Sequence, residues 1–90
     1  MPIVHHVDEG RFVLDLPEGE AVLEYVLDGG VMNILSTRVP QAARGRGTGG
    51  RLVETALTHA REQSWRIIPS CGYVRAWVAE HPEYRDLLAS

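Results

Sequence analysis

The stretch VPQAARGRGTGGRLVETAL, residues 39–57, joins a strand-like segment to a helix-like one through a loop rich in glycine and arginine. Upstream, VMNILSTRV (31–39) has the apolar, β-branched character of a strand, and Pro40 ends it. Downstream, from Thr48 to about Ser64, Leu52, Val53, Ala56, Leu57 and Ala60 recur on one side of a helix. Arg51, Glu54, Thr58, Arg61 and Glu62 lie opposite them. Glycine is costly inside regular structure and useful where backbone bends sharply or approaches something closely. The fold therefore turns on what Gly45, Gly47, Gly49 and Gly50 accommodate.

Reading outward, RFVLDL (11–16) alternates, with Phe12, Leu14 and Leu16 toward one face and Val13 and Asp15 toward the other. PEGE reads as a turn, AVLEYVLD (21–28) as a second strand, and GG at 29–30 punctuates it. Residues 11–39 are thus expected to form an antiparallel meander. Beyond the helix, WRIIP (65–69) is a short strand and CGYVRAWVAEH (71–81) a second helix, with Val74, Trp77 and Val78 inward. PEYRDLL closes the chain as a turn or short helix with Pro82 at its first position. The order β-β-β-α-β-α gives an α/β fold of the mixed-sheet kind, in a single domain spanning residues 1–90. Trp65 and Trp77 are assigned to the core, and His5 and His6 to a terminus expected to fray.

Composition narrows the function. The net charge of −3 and pI near 5.7 argue against a dedicated nucleic-acid binder, which concentrates basic residues on one face. Every basic residue is arginine, so lysine Schiff-base chemistry is excluded. Cys71 is alone and has no internal disulfide partner, which points to a reducing, cytoplasmic setting. MPIVHHVDEG lacks the apolar core of a signal peptide, and no segment approaches a membrane span. No His/Cys/Asp/Glu cluster has metal-ligand spacing.

The loop admits three readings. Gly45, Gly47 and Gly50 match G-x-G-x-x-G literally. That fingerprint requires the first strand of a parallel βαβ unit and an acidic residue after the next strand, and here Pro69, Ser70 and Cys71 stand there. A plain glycine turn capping a helix explains the glycines but leaves Arg44 and Arg46 opposing the helix dipole. A diphosphate cradle explains both. Glycine N–H groups and the first N–H groups of the helix face an anion, and the two guanidinium groups add charge-assisted hydrogen bonds.

Arg44-Gly45-Arg46-Gly47-Thr48-Gly49, after a strand and opening a long helix, resembles the coenzyme-A-binding motif of the GNAT superfamily of acetyltransferases, Q/R-x-x-G-x-G/A. Val39-Pro40 before the loop, Pro69-Ser70-Cys71-Gly72-Tyr73-Val74 after the next strand and His81-Pro82-Glu83-Tyr84 near the end resemble a subfamily of short GNAT-like proteins. The resemblance implies a minimal GNAT-like fold, an antiparallel meander followed by α-β-α with a splayed parallel strand pair. It implies acetyl-CoA as cosubstrate, with cofactor-binding residues Val39, Arg44, Gly45, Arg46, Gly47, Thr48 and Gly49. The acceptor it implies is a small-molecule or peptide amine, reached from an unusually open side. No nucleic-acid or membrane partner is expected, and a monomer or weak homodimer is.

Cys71 directly follows the strand where, by that resemblance, the thioester points. It is the candidate catalytic residue, as a nucleophile forming acetyl-cysteine or a proton donor to departing CoA. Against these stands the ordinary fate of a lone cysteine, a small buried apolar residue. His81 lies a helix length from Cys71, roughly 15 Å, and reads as a helix-end residue. Tyr73 and Tyr84 read as core or rim packing. The subfamily usually carries His-Thr-Glu-Val-Pro before the loop, where this chain has Ser36-Thr37-Arg38-Val39-Pro40. The carboxylate that would act as a base is thus replaced by a group that stays protonated. Two functions lead, an acetyltransferase and an acyl-CoA-binding module without catalysis, with a structural or interaction domain whose glycine loop binds nothing as a remote third.

Overall fold

The computed structural model describes residues 2–89. One five-stranded sheet runs in the order β1 (Val4–His6), β2 (Arg11–Leu16), β3 (Gly19–Asp28), β4 (Val31–Arg38) and β5 (Arg66–Pro69). Strands β1 to β4 are mutually antiparallel, as short turns require, and Gly29-Gly30 makes the tight connection between β3 and β4. Strands β4 and β5 are parallel because α1 (Thr48–Glu62) carries the chain back between them. Helix α2 (Gly72–Glu80) follows β5, and a 3-10 segment, Pro82–Leu87, closes the fold with proline at its start. The expected meander and parallel pair are both present.

Both helices pack on one face of the sheet. Leu52, Val53, Ala56, Leu57 and Ala60 of α1 and Val74 and Val78 of α2 are buried in one cluster with Phe12, Leu14, Ala21, Leu23, Tyr25, Met32, Ile34 and Ile67. Each large side chain so buried contributes about 1.5–3 kcal/mol of transfer free energy. Along β3 the alternation is strict, with Ala21, Leu23 and Tyr25 inward. The other face has no helix against it among the described residues, and Val26 and Ile68, aligned across Asn33, are exposed there.

One irregularity governs the rest. Tyr25 opposes Ile34 but Glu24 opposes Ser36, so Leu35 is an extra residue in β4, a bulge. Met32 and Ile34 face the helices. After the bulge the alternation changes phase, and Thr37, opposite Leu23, takes the helix side. The β4–β5 ladder ends at Ile34 and Pro69. Strand β5 ends at that pair, while β4 runs on to Arg38 with Cys71 beside Thr37.

Several expectations need correction. The N-terminus does not fray at His5 and His6, since Val4–His6 pairs with Arg11–Val13 as an edge strand. His5 stacks on Phe12 with ring centres 4.0 Å apart, meets His59 edge-on at 4.7 Å and shares a hydrogen bond with the Tyr25 hydroxyl. Val13, though on the outer face, is buried between its cross-strand neighbours Val4 and Val22. Helix α1 ends at Glu62 instead of Ser64, because Ser64 takes a left-handed conformation, φ 61°, that turns the chain. Strand β4 stops at Arg38 and β5 begins after Trp65. Trp65 and Trp77 are half-buried at the rim, packed against the core and not within it.

Candidate functional site

After Pro40 the chain makes a 3-10 turn, Gln41–Ala43, which buries the Ala43 methyl group. Gly45 and Gly47 then adopt φ of 85° and 78°, with open space where a Cβ would stand. Backbone conformation, not crowding, requires glycine at these two positions. Gly47 caps α1 without offering a side chain, and the first backbone bond of the helix runs from Arg51 N–H to the Gly47 carbonyl, 3.0 Å. The N–H groups of Thr48, Gly49 and Gly50 precede that bond and have no partner within the helix. The partial positive charge of the helix end is concentrated there.

A cavity of about 530 Å³ opens at this helix mouth. It is lined by Thr37 and Val39 from the end of β4, Ala43, Arg44 and Gly45 from the loop, Gly47, Thr48 and Gly49 from α1, and Tyr73 from α2. The fold thus brings Val39, Arg44, Gly45, Gly47, Thr48 and Gly49 together around one space. Arg44 is braced there by Nε donating to the Val39 carbonyl at 3.2 Å. Arg46 is the exception among the expected binding residues. Its Nη2 donates to Glu18 Oε2 at 2.6 Å, in the turn between β2 and β3, and its Nε to the Ala43 carbonyl at 3.4 Å. The hydrogen bond from Arg46 holds the Glu18 carboxyl below its usual range.

Gly49 and Gly50 answer to a different constraint. A Cβ on Gly49 would stand 2.8 Å from the Tyr73 hydroxyl oxygen, and one on Gly50 would stand 3.2 Å from Trp77 Nε1. These two glycines let the aromatic side chains of α2 lie against the first turn of α1.

Cys71 forms the N-cap of α2, immediately past β5. Its N–H donates to the Ile34 carbonyl at 3.0 Å, which ties the start of α2 to β4 where the β4–β5 ladder ends. Its thiol is half-buried and lies 3.8 Å from Thr37 Oγ1, within reach of a weak S–H hydrogen bond. Cys71 does not itself line the cavity but touches Thr37, which does.

The histidines are occupied elsewhere. His81 caps α2, with Nδ1 sharing a 2.7 Å hydrogen bond with the Trp77 carbonyl and its ring stacked on Trp77 at 3.7 Å. His5 and His59 line a second cavity between β1 and α1. On the bare face, Arg38 donates to Glu24 of β3, and Ser36 Oγ donates to the same carboxylate oxygen at 3.2 Å. The hydrogen bond from Arg38 lowers the Glu24 carboxyl below its ordinary value, which weakens it as a base. Among the described residues no His, Cys, Asp or Glu group is arranged to hold a metal ion. No helix among them is long and apolar enough to cross a membrane.

Thr37, Tyr73, Glu18 and Glu24 were not picked out by the sequence as parts of this neighbourhood. Thr37 and Glu24 depend on the phase change at Leu35, and Glu18 on a turn 28 residues from Arg46. Tyr73 carried a signal, two residues past Cys71 on the opening turn of a helix.

A family model described as GCN5-related N-acetyltransferase matches residues 11–87. Protein NATD1 from Bos taurus is 36% identical over 52 residues, a stretch covering 58% of this chain and 46% of that protein. The match therefore spans about half the length of the curated relative. The solution structure of a GCN5-like protein from Staphylococcus aureus superposes with a TM-score of 0.79 at 27% identity, covering 99% of this chain and 88% of the other.

Proposed function

The chain belongs to the GCN5-related N-acetyltransferase family, and from that membership we propose that it binds acetyl-CoA in the cavity at the mouth of α1 and transfers the acetyl group to an amine. The observation that carries the reading is the convergence of unpartnered helix N–H groups, the Gly45–Gly47 turns and the Arg44 guanidinium on one cavity. Such a set suits a diphosphate, and nothing in it suits a metal or a neutral ligand better.

Bound acetyl-CoA supplies the activated acyl group. Arg44 and the N–H groups of Thr48, Gly49 and Gly50 hold the anionic part. The open edge of β4 beyond Ile34, where the β5 ladder has ended, leaves backbone groups free to pair with the amides of the pantetheine arm. Thr37 and Cys71 stand past that edge. On this reading the Cys71 thiol, in contact with Thr37 of the cavity wall, receives the acetyl group as a thioester or returns a proton to the leaving thiolate. The acceptor, a small-molecule or peptide amine, approaches from the side that no helix covers. The chain acts as a monomer or weak homodimer in the cytoplasm.

A second reading, an acyl-CoA-binding module without catalysis, is favoured by one observation. Arg38 neutralises Glu24, the carboxylate that reaches nearest to position 38 from the neighbouring strand.

Ligand-dependent thermal unfolding tests binding. Acetyl-CoA at a hundred times its dissociation constant stabilises the fold by about 2.7 kcal/mol, while pantetheine, which lacks the diphosphate, stabilises it far less. Equal responses to the two ligands remove the diphosphate cradle. Thiol release with a panel of amines, together with the intact mass of wild type and Cys71→Ala, separates the two readings. With no lysine in the chain, an added acetyl group that disappears in Cys71→Ala marks the thiol as its carrier. No thiol release with any amine leaves the binding module.

A further inference from the structure

Helix α2 borders two separate spaces. Tyr73 lines the cavity at the mouth of α1. Arg75, Val78 and Ala79, turned to the other side of the helix by its 3.6-residue repeat, line a second open cavity of about 320 Å³. Pro69 of β5 and Arg85 and Leu88 of the segment after α2 complete that lining. The three segments are tied together. Ala89 N–H donates to the Ile67 carbonyl at 2.9 Å, and Arg75 Nη1 donates to the carbonyls of Pro69 and Ser70 at 3.1 and 3.3 Å.

This lining combines four apolar side chains with two guanidinium groups, and it contains no carboxylate. Elsewhere the chain answers its own cations. Arg11, Arg38, Arg46 and Arg61 each lie within ion-pair distance of a carboxylate. The cavity beside Arg61 and Arg66 includes Asp86, so an acidic group already occupies its rim. Arg75 donates only to backbone carbonyls. The Arg85 side chain has neither a hydrogen bond nor an ion pair among the described residues. Two like charges bordering one apolar space are both relieved by an anion that bonds to them.

We propose that this cavity is a further binding site, for a small carboxylate with a short apolar tail. The carboxylate accepts hydrogen bonds from Arg75 and Arg85, and the tail covers Val78, Ala79 and Leu88. An inorganic anion uses only the guanidinium groups, and a neutral apolar molecule only the wall. The site does not depend on the acetyl-CoA reading, and either can fail without the other.

Titration of the whole chain with hexanoate, acetate and hexan-1-ol, followed by backbone amide NMR, tests this. Hexanoate is expected to move the signals of residues 75–79 and 85–88 and to leave those of residues 44–49 in place. It should bind at least about tenfold more tightly than acetate, the effect of burying roughly two methylene groups. It should bind about threefold more tightly than hexan-1-ol, which lacks the charge, and Arg85→Gln should remove that difference. Movement at residues 44–49 instead, equal affinity for hexanoate and hexan-1-ol, or unchanged hexanoate affinity in Arg85→Gln overturns the proposal. Should Arg85→Gln not fold, Ala79→Leu, which fills the cavity from an exposed position, is expected to weaken hexanoate at least about threefold, and unchanged affinity there overturns the proposal equally.

Discussion

Arg46 leaves the cavity that its neighbours line and donates to Glu18 across the β2–β3 turn, Nη2 to Oε2 at 2.6 Å. The loop's second cation is therefore matched by a carboxylate of the protein before any ligand arrives. On the acetyl-CoA reading, a bound diphosphate would compete with Glu18 for the same guanidinium.

Glu18→Gln should accordingly tighten acetyl-CoA binding by roughly two- to fivefold, the effect of one exposed charge pair, and Arg46→Ala should weaken it by a similar factor. Because Arg46 keeps the Glu18 carboxyl ionised below the usual carboxylate range, the competition persists into mild acid. Isothermal titration at two salt concentrations checks this. A Glu18→Gln protein that binds more weakly than wild type shows that the pair positions the loop instead.

Gly49→Ala opposes two effects of known sign. Alanine inside a helix is favoured over glycine by roughly 0.5–1 kcal/mol. The added methyl group meets the Tyr73 ring first, and that ring is half exposed and able to swing outward. Stability should change by less than about 1 kcal/mol, while acetyl-CoA affinity falls at least about fivefold as ring and methyl group intrude on the cavity. Chemical denaturation and calorimetry on the same preparation read the two effects separately.

Leu57 is fully buried between α1 and the sheet. Leu57→Ala should cost about 2–5 kcal/mol, transfer plus cavity. Against a total of roughly 5–13 kcal/mol for a domain of this size, that change removes a large share of the stability. A denaturation midpoint within experimental error of wild type would show that the helix face is not packed as described.

His5 is expected to make the fold acid-sensitive. Burial against Phe12 and Tyr25, then the neighbouring His59 and His6, lower its pKa below the ordinary 6.5. Glu54 and Glu62 of α1 share the cavity with it. A base whose folded pKa lies below its unfolded one contributes stability that is full above the unfolded value and is lost as pH falls through the folded one. Melting temperature should thus drop as pH falls below the ordinary histidine value of 6.5, with amide exchange rising first in β1. Histidine ring signals followed by NMR test the assignment, and a His5 that titrates at or above the ordinary value removes it.

The parts of this structure legible in the sequence are those set by short-range rules. The glycine pair at 29–30 reads as a hairpin, the 3.6-residue stripe of α1 as a helix, and Pro82 as a helix start, because each signal is complete within a few residues. The cavity residues from Val39 to Gly49 were legible for the same reason, being contiguous. Strand β1 was not, since VHH is too short to alternate and gains its order from His5 packing on Phe12 and Tyr25. The roles of the glycines were only half legible. Gly45 and Gly47 serve the loop's own dihedral angles, whereas Gly49 and Gly50 serve side chains more than 20 residues away. Glu24 gains its arginine partner through sheet register, and Glu18 through the approach of a distant loop to its turn, neither of which a local pattern encodes.

The extra residue at Leu35 reaches beyond strand geometry. It lets a single strand belong to two environments, stitched on both edges up to Ile34 and on one edge afterwards, so a slot opens in the sheet without a break in the chain. Were the strand to run on through Leu35 in simple up-and-down rhythm, with no bulge, Thr37 would turn toward solvent. Cys71 would then have lost the hydroxyl it faces, although neither residue had been altered.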